Sequence, residues 1–372
     1  MNITMISEFD SKGSGYTHIA TNVCIELASR GHHVTALGIG YNGEEHSFPF
    51  SIVPVDRRNF LETIAVMVNN LKFQKGYADH LIVALDVPMQ MKLVELAGRL
   101  TIPYMGIFPL ESPPLTLAWA GSLMQMTSRF PISQFATDEL IRCGVSAHHI
   151  PIPINTEAWK RPTPEEKALI RKSMGITEGQ KVVLTIAENQ ERKNLGVCYD
   201  IVRKMPSNVI YALVTRVNAP YGWDLQDLEA EYGLVGRVMK FERGLPFKQI
   251  WTLYAAADAF LMSSKAEGLA IPVLEAMSCG VPVVAPDHTA FHEHLSDGRG
   301  YLYDNAYQYR DVFGNEWRYF ADANHGARAL FNSLQDDSDA VDYRQTVTTK
   351  ARQYVEARSW KTVGDIICTN LI

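Results

Sequence analysis

The sequence predicts an α/β protein built from two doubly wound, Rossmann-like parallel-sheet domains in tandem, and three observations predict it. Short apolar runs alternate with longer amphipathic stretches from the first residues onward, a proline-rich break interrupts them, and the alternation then restarts. The chain has 372 residues, 47% hydrophobic and 20% charged. At ~150 residues per domain that is enough apolar surface for two cores.

In chain order, Asn2–Ser7 reads as a strand, followed by a Gly/Ser loop and a helix over Thr17–Arg30 that Gly31 ends. His33–Leu37, Leu81–Leu85 and Pro103–Phe108 read as buried strands with helical segments between them. Arg57–Lys75 is an amphipathic helix with basic ends, whose apolar stripe suits a core face and leaves contact with a membrane surface open. The break is IPIPI at Ile150–Ile154 and RPTP at Arg161–Pro164. Thr163, Pro164, Glu165 and Glu166 then form the start of a capped helix running to Ser173. Lys181–Ile186, Val209–Val214, Arg237–Phe241, Ala259–Ser263 and Val281–Ala285 are the strands of the second sheet, and Asp342–Leu371 is helical. In such folds ligands bind beyond the carboxyl ends of the strands, here in a cleft expected between the two domains.

Composition narrows the function. The net charge of -6 disfavours a nucleic-acid partner. Cys24, Cys143, Cys198, Cys279 and Cys368 are scattered, with none of the close spacing of a zinc or redox motif. The N-terminus has no basic flank or long apolar run, and nowhere do about 18 apolar residues run together. The expectation is a cytoplasmic protein, with a peripheral position on the inner face of the membrane left open.

The most informative segment is SSKAEGLAIPVLEAMSCGVPVVAP, Ser263–Pro286. A strand runs into a loop holding Glu267 and Gly268, and a helix begins near Ile271–Pro272, contains Glu275 and stops at Gly280. Glu267 on the loop can accept hydrogen bonds from sugar hydroxyls. The amides of Gly268–Ile271 lead into a helix N-terminus, which favours phosphate. Glu275, eight positions after Glu267, can accept from both hydroxyls of a ribose. Gly13 and Gly15 lie in the first loop, but His18 stands where a dinucleotide fingerprint needs its third glycine. His288, His292 and His294 in DHTAFHEH invite a metal reading, yet no cysteine or carboxylate set completes one, and a structural or substrate-polar role fits better.

EGLAIPVLEAMSCGVPVVAPD resembles the donor-site signature of glycosyltransferase family 4, retaining GT-B enzymes that use nucleoside-diphosphate sugars. Ser133–Trp159, Gln249–Ser264 and Ala357–Ile367 are similar to further segments of that family, in the right order. The resemblance implies an acceptor-binding domain over 1–157, a donor-binding domain over 158–351, and a C-terminal helix at about 352–372 crossing back to the first domain. It implies that Glu267 contacts the transferred sugar and Glu275 the donor ribose. Gly268, Leu269 and Ala270 would approach the diphosphate, with Gly13 and Gly15 beneath it. Lys193 in ENQERKN matches the family's phosphate-binding lysine.

The chain departs from the family at Ala187–Glu188, where a Gly-Arg pair usually supplies a second phosphate cation. An acidic residue facing a diphosphate is costly, and Arg192 beside Lys193 is the candidate replacement. No histidine matches the one expected in the first domain; IFPLESPP occupies that stretch, with Glu111 as the polar candidate on the acceptor side. The implied reaction is a retaining, same-face sugar transfer to a hydroxyl of a glycan, a lipid-linked acceptor or a small molecule. The departing phosphate would take the acceptor's proton, with Lys193 and Arg192 as the cations and no cofactor or metal required. Alternatives are a GT-B sugar-nucleotide epimerase, a phosphorylase, or a non-catalytic nucleotide-sugar-binding descendant. Donor base, sugar and acceptor are not readable from these residues.

Overall fold

A computed structural model of the chain describes residues 1–10, 14–73 and 78–371. Its contacts divide it into two compact units. The first comprises Met1–Pro153, Val312–Glu316 and Arg358–Ile372; the second comprises Ile154–Asp311 and Trp317–Ala357. The division falls within the IPIPI segment, where alternating prolines deny the backbone a ladder or a helix.

The first unit runs β1 (Asn2–Glu8), α1 (Gly15–Ser29), β2 (His33–Ile39), β3 (Ser51–Val55), α2 (Phe60–Phe73), β4 (His80–Ala84), α3 (Val87–Leu100), β5 (Tyr104–Phe108), α4 (Leu117–Leu123), β6 (Ser128–Pro131) and α5 (Gln134–Arg142). Its strands form one parallel sheet in the order β3-β2-β1-β4-β5-β6. Every residue of β4 and β5 is buried, as befits strands covered on both faces. The Ser14 hydroxyl caps α1 by accepting from the Thr17 amide at 3.1 Å, so this helix starts two residues before the expected Thr17. In α2 Ile64 and Val68 are buried in the core, which identifies its apolar stripe as a packing face; Lys75 lies outside the described residues.

The second unit runs α6 (Pro164–Ser173), β7 (Lys181–Ile186), a 3-10 turn (Glu191–Lys193), α7 (Leu195–Arg203), β8 (Val209–Thr215), α8 (Leu225–Glu231), β9 (Val238–Glu242), α9 (Phe247–Ala256), β10 (Ala259–Leu261), α10 (Ile271–Ser278), β11 (Val283–Pro286), α11 (Thr289–Leu295), β12 (Tyr301–Tyr303), a hairpin of β13 (Asn305–Arg310) and β14 (Trp317–Ala321), α12 (Ala323–Ser333) and α13 (Ser338–Glu356). Its parallel sheet has the order β12-β11-β10-β7-β8-β9. The capping box before α6 is present in full: the Thr163 hydroxyl accepts from the Glu166 amide at 3.1 Å, and the Glu166 carboxylate from the Thr163 amide at 2.9 Å. Pro272 stands in the first turn of α10, and Gly280 beyond its end has a φ of +72°.

The expected helix over Asp342–Leu371 is two helices. α13 ends at Glu356, and α14 (Trp360–Thr369) starts afresh where the Ser359 hydroxyl accepts from the Thr362 amide. A competent N-cap in mid-pattern offers the chain a new start, which apolar periodicity alone hides. The chain rejoins the first unit at Arg358. No helix among the described residues is long and apolar enough to cross a membrane.

Candidate functional site

Sheet order places the carboxyl ends of β10, β7, β8 and β9 side by side in the second unit. β10 leads through Ser263 and Ser264 to Glu267, and β7 leads to Glu188 and the 3-10 turn that carries Arg192 and Lys193. Asn194 ends that turn with a φ of 54°, a left-handed conformation asparagine tolerates, and its carbonyl accepts from the Ser263 hydroxyl at 2.8 Å. The two strand ends are thereby joined.

Glu267 is the centre of this junction and is only 4% exposed. Lys193 Nζ lies 2.5 Å from its Oε1, and an Arg192 guanidinium nitrogen lies 3.4 Å from its Oε2 while donating to the Ala266 carbonyl at 2.7 Å. Burial pushes the Glu267 carboxyl up, but the Lys193 and Arg192 charges outweigh it and hold the group at about 2. Glu267, Lys193 and Arg192, chosen from separate segments of sequence, are thus one cluster. Both carboxylate oxygens face cations.

Glu275 lies in the second turn of α10 and is half-buried. Burial raises its carboxyl to about 7, against the pull of the Tyr254 hydroxyl 2.9 Å from Oε2. Tyr254 comes from the apolar stripe of α9, where nothing in the sequence marks it as polar support. Between the two glutamates Gly268, Leu269 and Ala270 form the entry to α10. Ala270 occupies the position before the first helical residue with a φ of 58°, unusual for a residue bearing a Cβ.

The three histidines of DHTAFHEH have separate partners. His288 is buried, lies 3.0 Å from the Ser264 carbonyl through Nε2, and stacks on Tyr319 at 4.6 Å. Burial brings its pKa down to about 4, so the ring is neutral. His294 Nε2 lies 2.7 Å from the Leu269 carbonyl, and its Nδ1 lies 3.1 Å from the Tyr354 hydroxyl. Since a carbonyl only accepts, both Nε2 atoms carry the proton. His288 and His294 therefore pin both ends of the loop that bears Glu267. His292 is exposed and lies 2.6 Å from Asp287. Glu293 offers its carbonyl to Arg299 at 2.8 Å.

Glu188 does not stand as a bare anion. Arg216, directly after β8, donates to its Oε1 at 2.8 Å, and Arg243, directly after β9, donates to its Oε2. The trio carries one net positive charge at the place where the resemblance expects an arginine. Each guanidinium follows a strand end in sequence, but only the β7-β8-β9 order shows that they converge.

Gly15 and Glu111 belong to the first unit, Gly15 as the first residue of α1 and Glu111 half-buried in the loop after β5. Gly13 lies outside the described residues. His18 on α1 offers Nε2 to the Pro153 carbonyl at 3.1 Å and meets Trp360 of α14 edge-on.

Comparison with known proteins fits this geometry. Residues 166–311 match the family model for glycosyl transferases group 1. The chain is 30% identical over 192 residues to the GDP-mannose-dependent alpha-(1-6)-phosphatidylinositol monomannoside mannosyltransferase of Mycolicibacterium smegmatis, over 48% of each chain. It is 27% identical over 184 residues to O-antigen chain mannosyltransferase B of Escherichia coli, over 49% of this chain and 43% of that one. The chain thus spans about half the length of the curated relatives it matches. Among solved structures, sucrose-phosphate synthase from Thermosynechococcus elongatus superposes with a TM-score of 0.79 at 16% identity, over 99% of this chain and 98% of that one. Anabaena HepE, solved with UDP-glucose, superposes at 0.77 with 17% identity, over 100% and 99%. Two parallel six-stranded sheets of this order make the architecture GT-B. Residues 166–311 are thus similar to the glycosyl transferases group 1, and the fold of the chain is that of the GT-B structures.

Proposed function

We propose that the protein transfers a sugar from a nucleoside-diphosphate sugar to a hydroxyl acceptor with retention of anomeric configuration. The observation that carries this is the Lys193–Glu267–Arg192 cluster at the mouth of β7 and β10, beside the amino end of α10. Two cations and a helix amino terminus suit a leaving diphosphate. Glu275 accepts the ribose hydroxyls, the Gly268–Ala270 amides face the phosphates, and Glu267 holds Lys193 in place and meets the transferred sugar. The bond between the anomeric carbon and the phosphate oxygen breaks as the acceptor oxygen bonds to that carbon on the same face. The acceptor's proton passes to the departing phosphate oxygen, and Lys193 with Arg192, not a divalent ion, neutralises the charge left there. Gly13 and Gly15 serve the donor diphosphate, and Glu111 serves the acceptor side. An acceptor that is lipid-linked would bring the protein to a membrane surface.

A thermal-shift panel of nucleoside diphosphates and nucleotide sugars tests this reading, repeated with chelator and on Glu275→Ala. A shift with one nucleotide that survives chelator and disappears in Glu275→Ala is expected, and it names the base. A parent that responds to no nucleotide sinks the reading.

A further inference from the structure

Lys265, two positions before Glu267, has no part in the scheme above, yet its ammonium is buried with the residue 6% exposed. Its Nζ pairs with the Glu191 carboxylate, lies 3.3 Å from the Tyr309 hydroxyl, and sits over the rings of Phe320 and Tyr309 at 5.3 and 5.6 Å. Its amide donates to the Arg192 carbonyl at 2.8 Å, and its carbonyl accepts from the Tyr319 amide at 2.9 Å. One residue therefore ties the Glu191–Lys193 turn, the Glu267 loop and the β13–β14 hairpin together.

A purely structural account of this lysine is weak. A buried ion pair contributes little net stability, and the cost of removing one partner is large only where it leaves the other charge buried. Glu191 is 62% exposed, so removing the lysine strands no buried carboxylate. What the pair does fix is the turn: Glu191 is its first residue, and Arg192 and Lys193 are the next two.

We propose that Lys265 is a positioning residue for the donor diphosphate: held between Tyr309 and Phe320 of the hairpin, it anchors Glu191 and so sets Arg192 and Lys193 at the phosphates. This rests on the donor reading given above. It makes the hairpin part of the donor site.

Calorimetric titration with GDP, UDP, GMP and UMP tests it on the parent, Lys265→Met, Lys265→Arg, Lys193→Met and the Lys265→Met/Lys193→Met double variant. Lys265→Met is expected to weaken the diphosphate that binds by about tenfold while leaving its monophosphate and the melting temperature near the parent's. Lys265→Arg should restore most of the loss, and the double variant should bind no more weakly than Lys193→Met, because Lys265 acts through the turn. Should Lys265→Met not fold, Glu191→Ala removes the acceptor of the same tie at an exposed side chain, and a loss confined to the diphosphate is the result expected of it. Parent-like diphosphate affinity overturns the proposal, as do losses that add in the double variant. Equal weakening of di- and monophosphate with a fall in melting temperature also overturns it, reducing Lys265 to a packing role. A parent that binds neither GDP nor UDP overturns the donor reading itself, which separates the two failures.

Discussion

At the scale of residues, the two glutamates of one motif meet opposite electrostatic fates. Glu267 is held at about 2 by its cations and is ionised throughout the physiological range, so its contribution to stability is present above the ordinary carboxyl range and is lost as pH falls through about 2. Glu275, raised to about 7, favours its neutral form in the fold; its contribution is full below 4.5 and is lost as pH rises through about 7. A ribose is best accepted by the ionised form. Nucleotide affinity should therefore rise with pH up to about 7 and level off above it, and Glu275→Gln should remove that dependence. Titrations from pH 5.5 to 8.5 read this directly, and a parent profile as flat as the variant's would exclude Glu275 from the ribose. Lys193→Ala, removing a cation preorganised for the leaving phosphate, should lower turnover by roughly 10²–10³-fold. A loss confined to KM would mean that it holds donor and leaving group alike.

At the scale of elements, what the sequence made legible were the boundaries that local chemistry sets. Thr163 with Glu166 starts α6, Pro272 and Gly280 bracket α10, and Glu267 and Glu275 stand where the strand–loop–helix pattern puts them. The hairpin was not legible: Asn305–Arg310 is short and largely exposed, and Trp317–Ala321 carries aromatics on both faces, so neither reads as a strand with one buried face. Nor were the roles of His288 and His294, since their partners, the Ser264 and Leu269 carbonyls, are backbone groups that no side-chain pattern encodes. His294→Ala leaves the Leu269 carbonyl without that donor inside a buried loop. The expected cost is about 1–3 kcal/mol of stability. Nucleotide binding should weaken with it because the entry to α10 loosens. His294→Gln, which can still reach a carbonyl, should recover part of both in chemical denaturation and titration. An alanine variant as stable as the parent would show that the loop does not depend on this tie.

At the scale of the molecule, the IPIPI break disclosed two units, but the order of strands within each sheet was beyond reach. Sequence order says nothing of which strand ends adjoin, and the crossovers that place β7 between β10 and β8 decide the site. They convert Glu188 from an apparent fault into the bridge between Arg216 and Arg243, and they bring the Lys193 turn to Glu267. Because the whole candidate donor cluster lies in the second unit, ligand should leave a local signature. At a nucleotide concentration of 100 times Kd, binding adds about 2.7 kcal/mol to the folded state of whatever opens with the site. Hydrogen exchange should slow at amides within 188–194 and 263–275 while the strands β1–β6 exchange as before. Protection gained in β1–β6 without any in those two segments would move the nucleotide site to the first unit. Protection confined to the second unit and abolished by Glu275→Ala would fix it at the mouth of β7 and β10.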